Sequence, residues 1–211
     1  MRTDRPMDQT GQQPKTLCLP LNSSFIPRFS SILQAGFLVK GRLGDTVVGL
    51  LRNQLGLSVE YVNERISTVF LDGKPVDDID AAIVREGSTL ALSSAIPGLV
   101  GAAMRRKGFY ASFRDTITYR EEGQSAPEKE GLFRVKLFNL LIAELGSLFL
   151  KRGIYLEVRG LEEFLASQPE GFFEACTGIV LEGQSLPPAL LRKIGWSPGT
   201  QWIRLTVCTS G

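Results

Sequence analysis

The alternation of apolar and polar positions is most regular between residues 44 and 97. Four apolar residues recur there at helical spacing: Val47, Leu50, Leu51 and Leu55. Asp45 or Thr46 can accept an unpaired backbone N–H as the N-cap, and Gly56 favours a left-handed stop at the other end. The pattern therefore predicts a short amphipathic helix over residues 45–55.

A tight turn between two β-prone runs follows this helix. Ile66 to Leu71 is rich in residues that favour strands, and Asp72-Gly73 readily takes the positive φ angles of a hairpin turn, with Lys74 to Val76 returning. Arg85 to Ser88 predicts a second turn. Thr89 to Leu92 then predicts a strand whose two leucines are buried.

In this order of elements the segment resembles the β-grasp (ubiquitin-like) superfamily, in particular the branch with the small sulfur carriers of molybdopterin and thiamine synthesis. The stretches that carry the resemblance are Gly44-Asp45-Thr46-Val47 with Leu50-Leu51, Leu55-Gly56-Leu57, Phe70 to Val76, and Glu86 to Leu92. It implies a β-hairpin before the helix, for which Thr16 to Leu21 and roughly Ile32 to Gly41 are the candidates, so it covers residues 15–97. It also implies a scaffold that in many relatives binds proteins or RNA.

The sulfur-carrier role that the resemblance implies requires a free chain end beside the last strand. Such a carrier ends in a flexible Gly-Gly whose terminal carboxylate is adenylated and thiolated. Here the chain continues well beyond Ser94, and its last residues are Thr-Ser-Gly, with Gly211 at the end. The carrier role is therefore an alternative that requires cleavage of the chain.

The remainder of the chain predicts a mixture of helices and strands. Phe109 to Tyr119 alternates as one long strand or two short ones, and Glu121 to Gly131 is a charged loop with proline and glycine. Residues 132–152 predict a largely buried helix that stops at Gly153. The elements predicted after it are a strand at Ile154–Val158, a helix at Leu161–Leu165, a strand at Ile179–Leu181, a helix at Pro187–Ile194 and a strand at Trp202–Cys208.

The predicted fold class is α+β, with an N-terminal β-grasp domain followed by a mixed α+β C-terminal region. The expected domains are a disordered tail at residues 1–14, the β-grasp domain at 15–97, a connecting segment with a strand and a flexible loop at 98–131, and an α+β domain at 132–211. No internal repeat is visible in the sequence.

Composition narrows the function classes only slightly. Apolar residues make up 43% of the chain, charged residues 22%, and the formal net charge is +2, which is ordinary and supports neither nucleic acid nor an anionic membrane as partner. Since no apolar run reaches the length of about 20 residues that spans a bilayer, we expect no membrane anchor. Three distant cysteines, Cys18, Cys176 and Cys208, favour a reducing cytoplasm, with Cys18 and Cys208 as small buried apolar residues in strands.

Catalytic chemistry finds little support in the residues. The chain contains no histidine, which excludes Ser-His-Asp and Cys-His hydrolysis, histidine-ligated zinc and imidazole acid–base catalysis. No motif indicates a cofactor. Four carboxylates lie close together in the sequence: Asp72, Asp77, Asp78 and Asp80. Such a cluster can hold a hard cation, or its members can accept hydrogen bonds in turns and helix caps. We favour the turns and caps over a metal.

The best candidate for a binding edge is the segment after Pro97. Small residues allow close backbone approach there, and the cations behind them can receive an anion. The candidate binding residues are Gly98, Gly101, Arg105, Arg106 and Lys107. The segment matches no phosphate-loop pattern, so the alternative is a linker or short helix with a solvated basic end. Because its residues are small and apolar where a loop is usually polar, we expect the segment to pack against another surface.

Three functions remain open at this stage. The first is a non-enzymatic binding or adaptor protein that uses the β-grasp sheet and the 98–107 segment to engage a protein partner. The second is a sulfur-carrier or conjugation-related protein. The third is an enzyme that holds an anionic small molecule with Arg105, Arg106 and Lys107.

Overall fold

The computed structural model describes residues 14–114, 116–121, 128–196 and 199–210. Residues 1–13 of the predicted tail and 122–127 of the predicted loop lie outside them. The fold is mixed α+β, as predicted, and the chain divides into two compact units. We call Leu38–Glu144 the central unit, and Met1–Phe37 with Leu145–Gly211 the terminal unit. This division differs from the predicted domains, because residues 15–37 belong with the C-terminal part of the chain.

The helices and strands are short. The strands are β1 Lys15–Asn22, β2 Phe37–Leu43, β3 Thr68–Leu71, β4 Lys74–Pro75, β5 Thr89–Ser93, β6 Lys129–Phe138, β7 Ile154–Glu157, β8 Ile179–Leu181, β9 Gln184–Leu186 and β10 Trp202–Ser210. The helices are α1 Ser30–Ala35, α2 Val47–Gly49, α3 Val59–Glu64, α4 Gly98–Met104, α5 Leu140–Arg152, α6 Val158–Ala166 and α7 Glu170–Glu174. Among the described residues, no helix is long and apolar enough to span a bilayer.

The central unit is built on a sheet with strand order β4-β3-β5-β6-β2. β3 pairs antiparallel with β4 and β5, whereas β5 and β6 run parallel. The register sets Leu90 opposite Val135 and Leu92 opposite Leu137, and all four side chains are fully buried. One face of the parallel pair is therefore core, and the alternate residues point to the other face.

The predicted helix after residue 45 is present and is wider than an α-helix in its second half. Thr46 is the N-cap, and its hydroxyl accepts a hydrogen bond from the Gly49 N–H at 3.1 Å. After α2 the chain continues as a π-helical turn, Leu50–Gln54, in which the Leu55 N–H donates to the Leu50 carbonyl at 3.0 Å. Helix α3, which begins after the cap Ser58, was not predicted.

The hairpin at Asp72-Gly73 is confirmed. The two residues have φ angles of 51° and 80°, the left-handed pair that a two-residue hairpin of this kind requires. The Asp72 carboxylate also accepts hydrogen bonds from the Thr89 N–H at 2.7 Å and from the Ser88 hydroxyl at 3.2 Å. The turn is thus fastened to the start of β5.

The prediction of one helix over residues 132–152 was wrong in its first part. Strand β6 occupies this part, with Phe133, Val135 and Leu137 buried and the residues between them outward. This is the period of two of a strand, which the overall apolar content of the segment obscured. Asn139, with φ of 56°, ends the strand, and α5 begins only after it.

The prediction of one or two strands from Phe109 to Tyr119 was also wrong. In the described residues this stretch consists of turns and a 3-10 helix, Ala111–Arg114, and Asp115 lies outside them. The alternating pattern of the sequence is not used, because the side chain of Arg114 turns inward to bind Asp77 instead of pointing outward. A local preference for strand is overridden by a buried ion pair.

The terminal unit has the strand order β7-β10-β1-β8-β9. β1 runs parallel to β10 and antiparallel to β8, so the predicted hairpin of residues 16–21 with 32–41 was wrong. Residues 30–35 form α1 instead of a strand. The remaining predicted elements are confirmed, with a 3-10 helix, Pro188–Lys193, as the helix near Pro187.

The two units share one topological plan that the sequence does not reveal. Across its sheet, the central unit has the hairpin β4-β3, the parallel pair β5-β6 and the strand β2, which leads into a helix. The terminal unit has, in the same order, the hairpin β9-β8, the parallel pair β1-β10 and the strand β7, which also leads into a helix. The hairpin turn of the terminal unit is Glu182-Gly183, with φ of 52° and 79°, close to the angles at Asp72-Gly73. The main difference between the two units is that β1, which takes the place of β5 in the terminal unit, comes from the N-terminal part of the chain.

We expect Leu50→Ala to lower the free energy of unfolding by about 2–5 kcal/mol, because the side chain is fully buried and its removal leaves a cavity. Leu99→Ala is the matched control, since Leu99 is 73% exposed, and it should change this free energy by less than about 0.5 kcal/mol. Equilibrium urea denaturation measures both. Equal effects of the two substitutions would contradict the burial of the 45–55 helix.

Candidate functional site

The outward face of the central sheet carries an apolar groove. The register places Phe70 of β3 opposite Ala91 of β5, and Ala91 opposite Lys136 of β6, in one row across three strands. Ala91 is small, so its two larger neighbours stand as walls on either side of it. The groove has a volume of about 480 Å³, which is within the range of roughly 300–1,000 Å³ typical of ligand pockets.

The end of the groove is closed by the chain that leaves β5 and β6. Phe138, Ile96 and Pro97 line it there, together with Asn139. The Asn139 amide donates hydrogen bonds to the Ser93 hydroxyl at 2.9 Å and to the Ala95 carbonyl at 2.7 Å. These two bonds tie the ends of the parallel strands together and fix this wall.

Lys136 is the cationic group of the groove. Among the described residues, no carboxylate forms an ion pair with it. A single ammonium beside apolar walls favours an apolar group that carries one carboxylate, because the charge would then be paired and the apolar surface removed from water. The described residues that line the groove include no carboxylate and no cysteine side chain.

The connection from β5 to β6 carries further exposed apolar side chains after Pro97. In helix α4, Leu99 is 73% exposed and Val100 is 68% exposed, and Phe109 further on is 89% exposed. Leu99 and Val100 therefore do not pack within the described part of the chain, and the expectation that this segment packs against something stays a prediction. Exposed apolar side chains are typical of a surface that binds a partner.

Two of the predicted binding residues, the glycines, shape the backbone of α4. Gly98 has φ of 79°, which favours glycine. A β-carbon at Gly101 would lie 1.7 Å from the carbonyl oxygen of Ile96, so only glycine allows the helix to fold back this closely. Both glycines position the segment without contacting a ligand site of their own.

The predicted cations do not converge on one site. Arg106 turns inward, where its guanidinium donates to the Val62 carbonyl at 2.8 Å and the Ile66 carbonyl at 2.8 and 3.1 Å. It thereby caps the C-terminal end of α3, and burial lowers its pKa from the ordinary value. Arg105 and Lys107 point to solvent.

Arg114, which the sequence analysis did not single out, is the second anchor of the connection. Its side chain is 3% exposed and forms a bidentate ion pair with the Asp77 carboxylate at 2.7 and 3.0 Å. It also donates to the carbonyls of Ala103 at 2.6 Å and Arg105 at 3.3 Å. Arg106 and Arg114 thus fasten the connection to α3 and to the hairpin.

Two members of the acidic cluster have the turn and cap roles that we favoured: Asp72 fastens its hairpin turn, and the Asp78 carboxylate accepts from the N–H groups of Asp80 at 3.0 Å and Ala81 at 3.2 Å. Asp77 instead forms the ion pair with Arg114. Within the described ranges, no group of three or more Cys, Asp or Glu side chains is placed to hold a metal ion.

A second polar cluster in the central unit consists of Glu144, Arg65 and Tyr61. Glu144 forms an ion pair with Arg65 and accepts a hydrogen bond from the Tyr61 hydroxyl at 2.7 Å. The Arg65 guanidinium lowers the pKa of Glu144 below its usual value, so this carboxyl stays ionised and is a poor proton donor near neutral pH.

The residues of the groove were missed by the sequence analysis. Lys136 and Phe138 stand at outward positions of the period-two pattern in β6, so a strand prediction there would have found them. Phe70 and Ala91 join them only through strand pairing between segments distant in sequence, which no local pattern contains. Comparison of the chain with protein-family models, with curated proteins and with solved structures finds no match.

We expect Arg106→Ala to lower the free energy of unfolding by about 1.5–3 kcal/mol, because hydrogen bonds from a charged donor to the buried end of α3 are lost. Arg105→Ala is the control on the neighbouring, exposed position and should change it by less than about 0.5 kcal/mol. Urea denaturation measures both. If Arg105→Ala destabilised as much as Arg106→Ala, the capping role of Arg106 would be refuted.

Proposed function

We propose that the protein is a non-enzymatic binding or adaptor module that holds a protein partner on the outward face of the central sheet. The observation that carries the proposal is the groove at Ala91, together with the exposed apolar side chains of Leu99 and Val100, which follow the lining residue Pro97 in the chain. A rigid apolar groove with an extended apolar border favours a polypeptide over a small molecule, because the border lies outside the enclosed volume.

The central unit serves this function as a β-grasp-like scaffold. In that superfamily a hairpin precedes the helix, whereas here β2 alone precedes it and β6, later in the chain, lies next to β2. The order of helix, hairpin and strand over residues 45–93 supports the resemblance. We interpret this arrangement as a β-grasp-like sheet in which β6, a strand from later in the chain, lies beside β2.

The chemistry of the groove defines the partner. An apolar side chain fills the space between Phe70 and Phe138, and an acidic residue beside it pairs with Lys136. Arg105 and Lys107, exposed on the same connection as Leu99, favour further acidic residues next to the apolar anchor. The partner segment is therefore apolar with acidic flanks.

The other two functions lack a supporting observation. A sulfur carrier needs a free end after the strand equivalent to β5, and here β5 leads into a connection that Arg106 and Arg114 fasten. An enzyme that holds an anion needs Arg106 together with its neighbours, and the Arg106 guanidinium is engaged by carbonyl groups. We do not advance either one.

The experiment compares tagged variants in quantitative affinity purification. Ala91→Trp fills the groove, Lys136→Glu reverses its charge, and Leu99→Asp places a charge on its border. We expect each variant to lose at least tenfold of the partner signal, because apolar burial or charge pairing is removed at the contact. Leu190→Asp, at an apolar residue of the terminal unit that is 42% exposed, is the matched control and should retain the signal.

Circular dichroism and denaturation of each variant separate lost binding from lost folding. A folded Ala91→Trp variant that keeps the full set of partners would refute the proposal. A loss of partners in Leu190→Asp as well would show that the contact is nonspecific, and would refute it equally.

A further inference from the structure

Two thiols of the terminal unit are in contact on its outward sheet face. The sulfur atoms of Cys18 in β1 and Cys208 in β10 are 3.1 Å apart, although the residues are 190 positions apart in the sequence. Cys208 is exposed and Cys18 is half-buried, whereas Cys176 is 2% exposed. Both cysteines lie in strands, as predicted, but the expectation that they are small buried residues was wrong for Cys208, which is exposed.

The parallel register explains why the thiols meet. Cys18 is paired with Thr206 and Pro20 with Cys208, so the two cysteines are offset by two residues on neighbouring strands. Residues alternate between the faces of each strand, and the neighbours of the cysteines, Leu19 and Val207 among them, are buried. Both thiols therefore lie on the outward face as a diagonal pair.

We infer that Cys18 and Cys208 form a redox-active dithiol site that reacts with a low-molecular-weight disulfide and closes into a disulfide bond between the first and the last strand. The separation of the two cysteines in the sequence gives no sign of such a site. The inference is independent of the groove, since it concerns residues of the terminal unit alone.

The reaction proceeds by two thiol–disulfide exchanges. Burial raises the pKa of the Cys18 thiol to about 11, so the exposed Cys208 is the sulfur that attacks first. Its thiolate attacks one sulfur of the reagent RSSR, the reagent S–S bond breaks, and RS⁻ leaves and takes up a proton. Cys208 is then held in a mixed disulfide, Cys208–S–SR.

Cys18 completes the reaction. It loses its proton to water, attacks the Cys208 sulfur and displaces the second RS⁻, which also becomes RSH. Two thiols and RSSR thus give one intrachain disulfide and two RSH, so two electrons pass from the protein to the reagent. The sulfur atoms approach from 3.1 Å to the bond length of about 2.05 Å, a movement at the end of β10.

The bond would restrain the unfolded chain strongly. It would link residues 18 and 208, so nearly the whole chain would lie within the closed loop, and such a loop loses much of its conformational freedom in the unfolded state. We expect the oxidised protein to unfold at a higher urea concentration than the reduced protein.

The test uses the full chain, fully reduced and then incubated with oxidised glutathione, with intact-mass and peptide mass spectrometry. Of the three thiols, two should disappear without a lasting glutathione adduct, and the linked peptides should contain Cys18 and Cys208. Cys176→Ser should react in the same way. Cys18→Ser should instead accumulate a glutathione adduct on Cys208.

The opposite results are equally distinct. A wild-type chain that keeps glutathione on Cys208, as Cys18→Ser does, would show that the thiols do not close and would overturn the inference. So would linked peptides that contain Cys176, or a urea midpoint that does not rise on oxidation and fall again on reduction.

Discussion

The parallel pairing of β5 with β6 is the constraint on which the central unit depends. Its register buries Leu90 and Leu92 against Val135 and Leu137, and because side chains alternate, the same register brings Ala91 beside Lys136. A slip of β6 by one residue would exchange the two faces of that strand, placing Lys136 in the core and Val135 and Leu137 in water. The core and the groove are therefore fixed by one and the same pairing.

Two parallel neighbours need a crossover connection, and in this chain that connection carries the exposed side chains that we propose as the border of the binding groove. Two arginines hold this connection in place: Arg106 binds the end of α3, and Arg114 binds Asp77. With these anchors in place, α4 can keep Leu99 and Val100 exposed on a held backbone. Two of the positive charges in this segment thus hold its backbone in place, whereas Arg105 and Lys107 are exposed.

Local physics determined what the sequence could predict. The Asp72-Gly73 turn, the Thr46 cap and the helical spacing of Val47 and Leu50 are encoded in neighbouring residues, and they were predicted correctly. The parallel pairings, the inward turn of Arg114 and the meeting of distant side chains at the groove depend on tertiary contacts, which periodicity does not contain. Residues 132–138 were predicted as helix because the whole segment is rich in apolar residues. Their alternation of buried and outward positions, with a period of two, is present in the sequence and indicates the strand that is observed.

We propose that a partner segment lies in the groove at Ala91. Site-specific photocrosslinking can detect this contact, with Phe70 replaced by p-benzoylphenylalanine in the groove and Tyr155 replaced in the same way on the terminal unit as an aromatic control. We expect a discrete crosslinked protein adduct from position 70 and none from position 155. No adduct at position 70, or the same adduct at both positions, would refute the proposed contact.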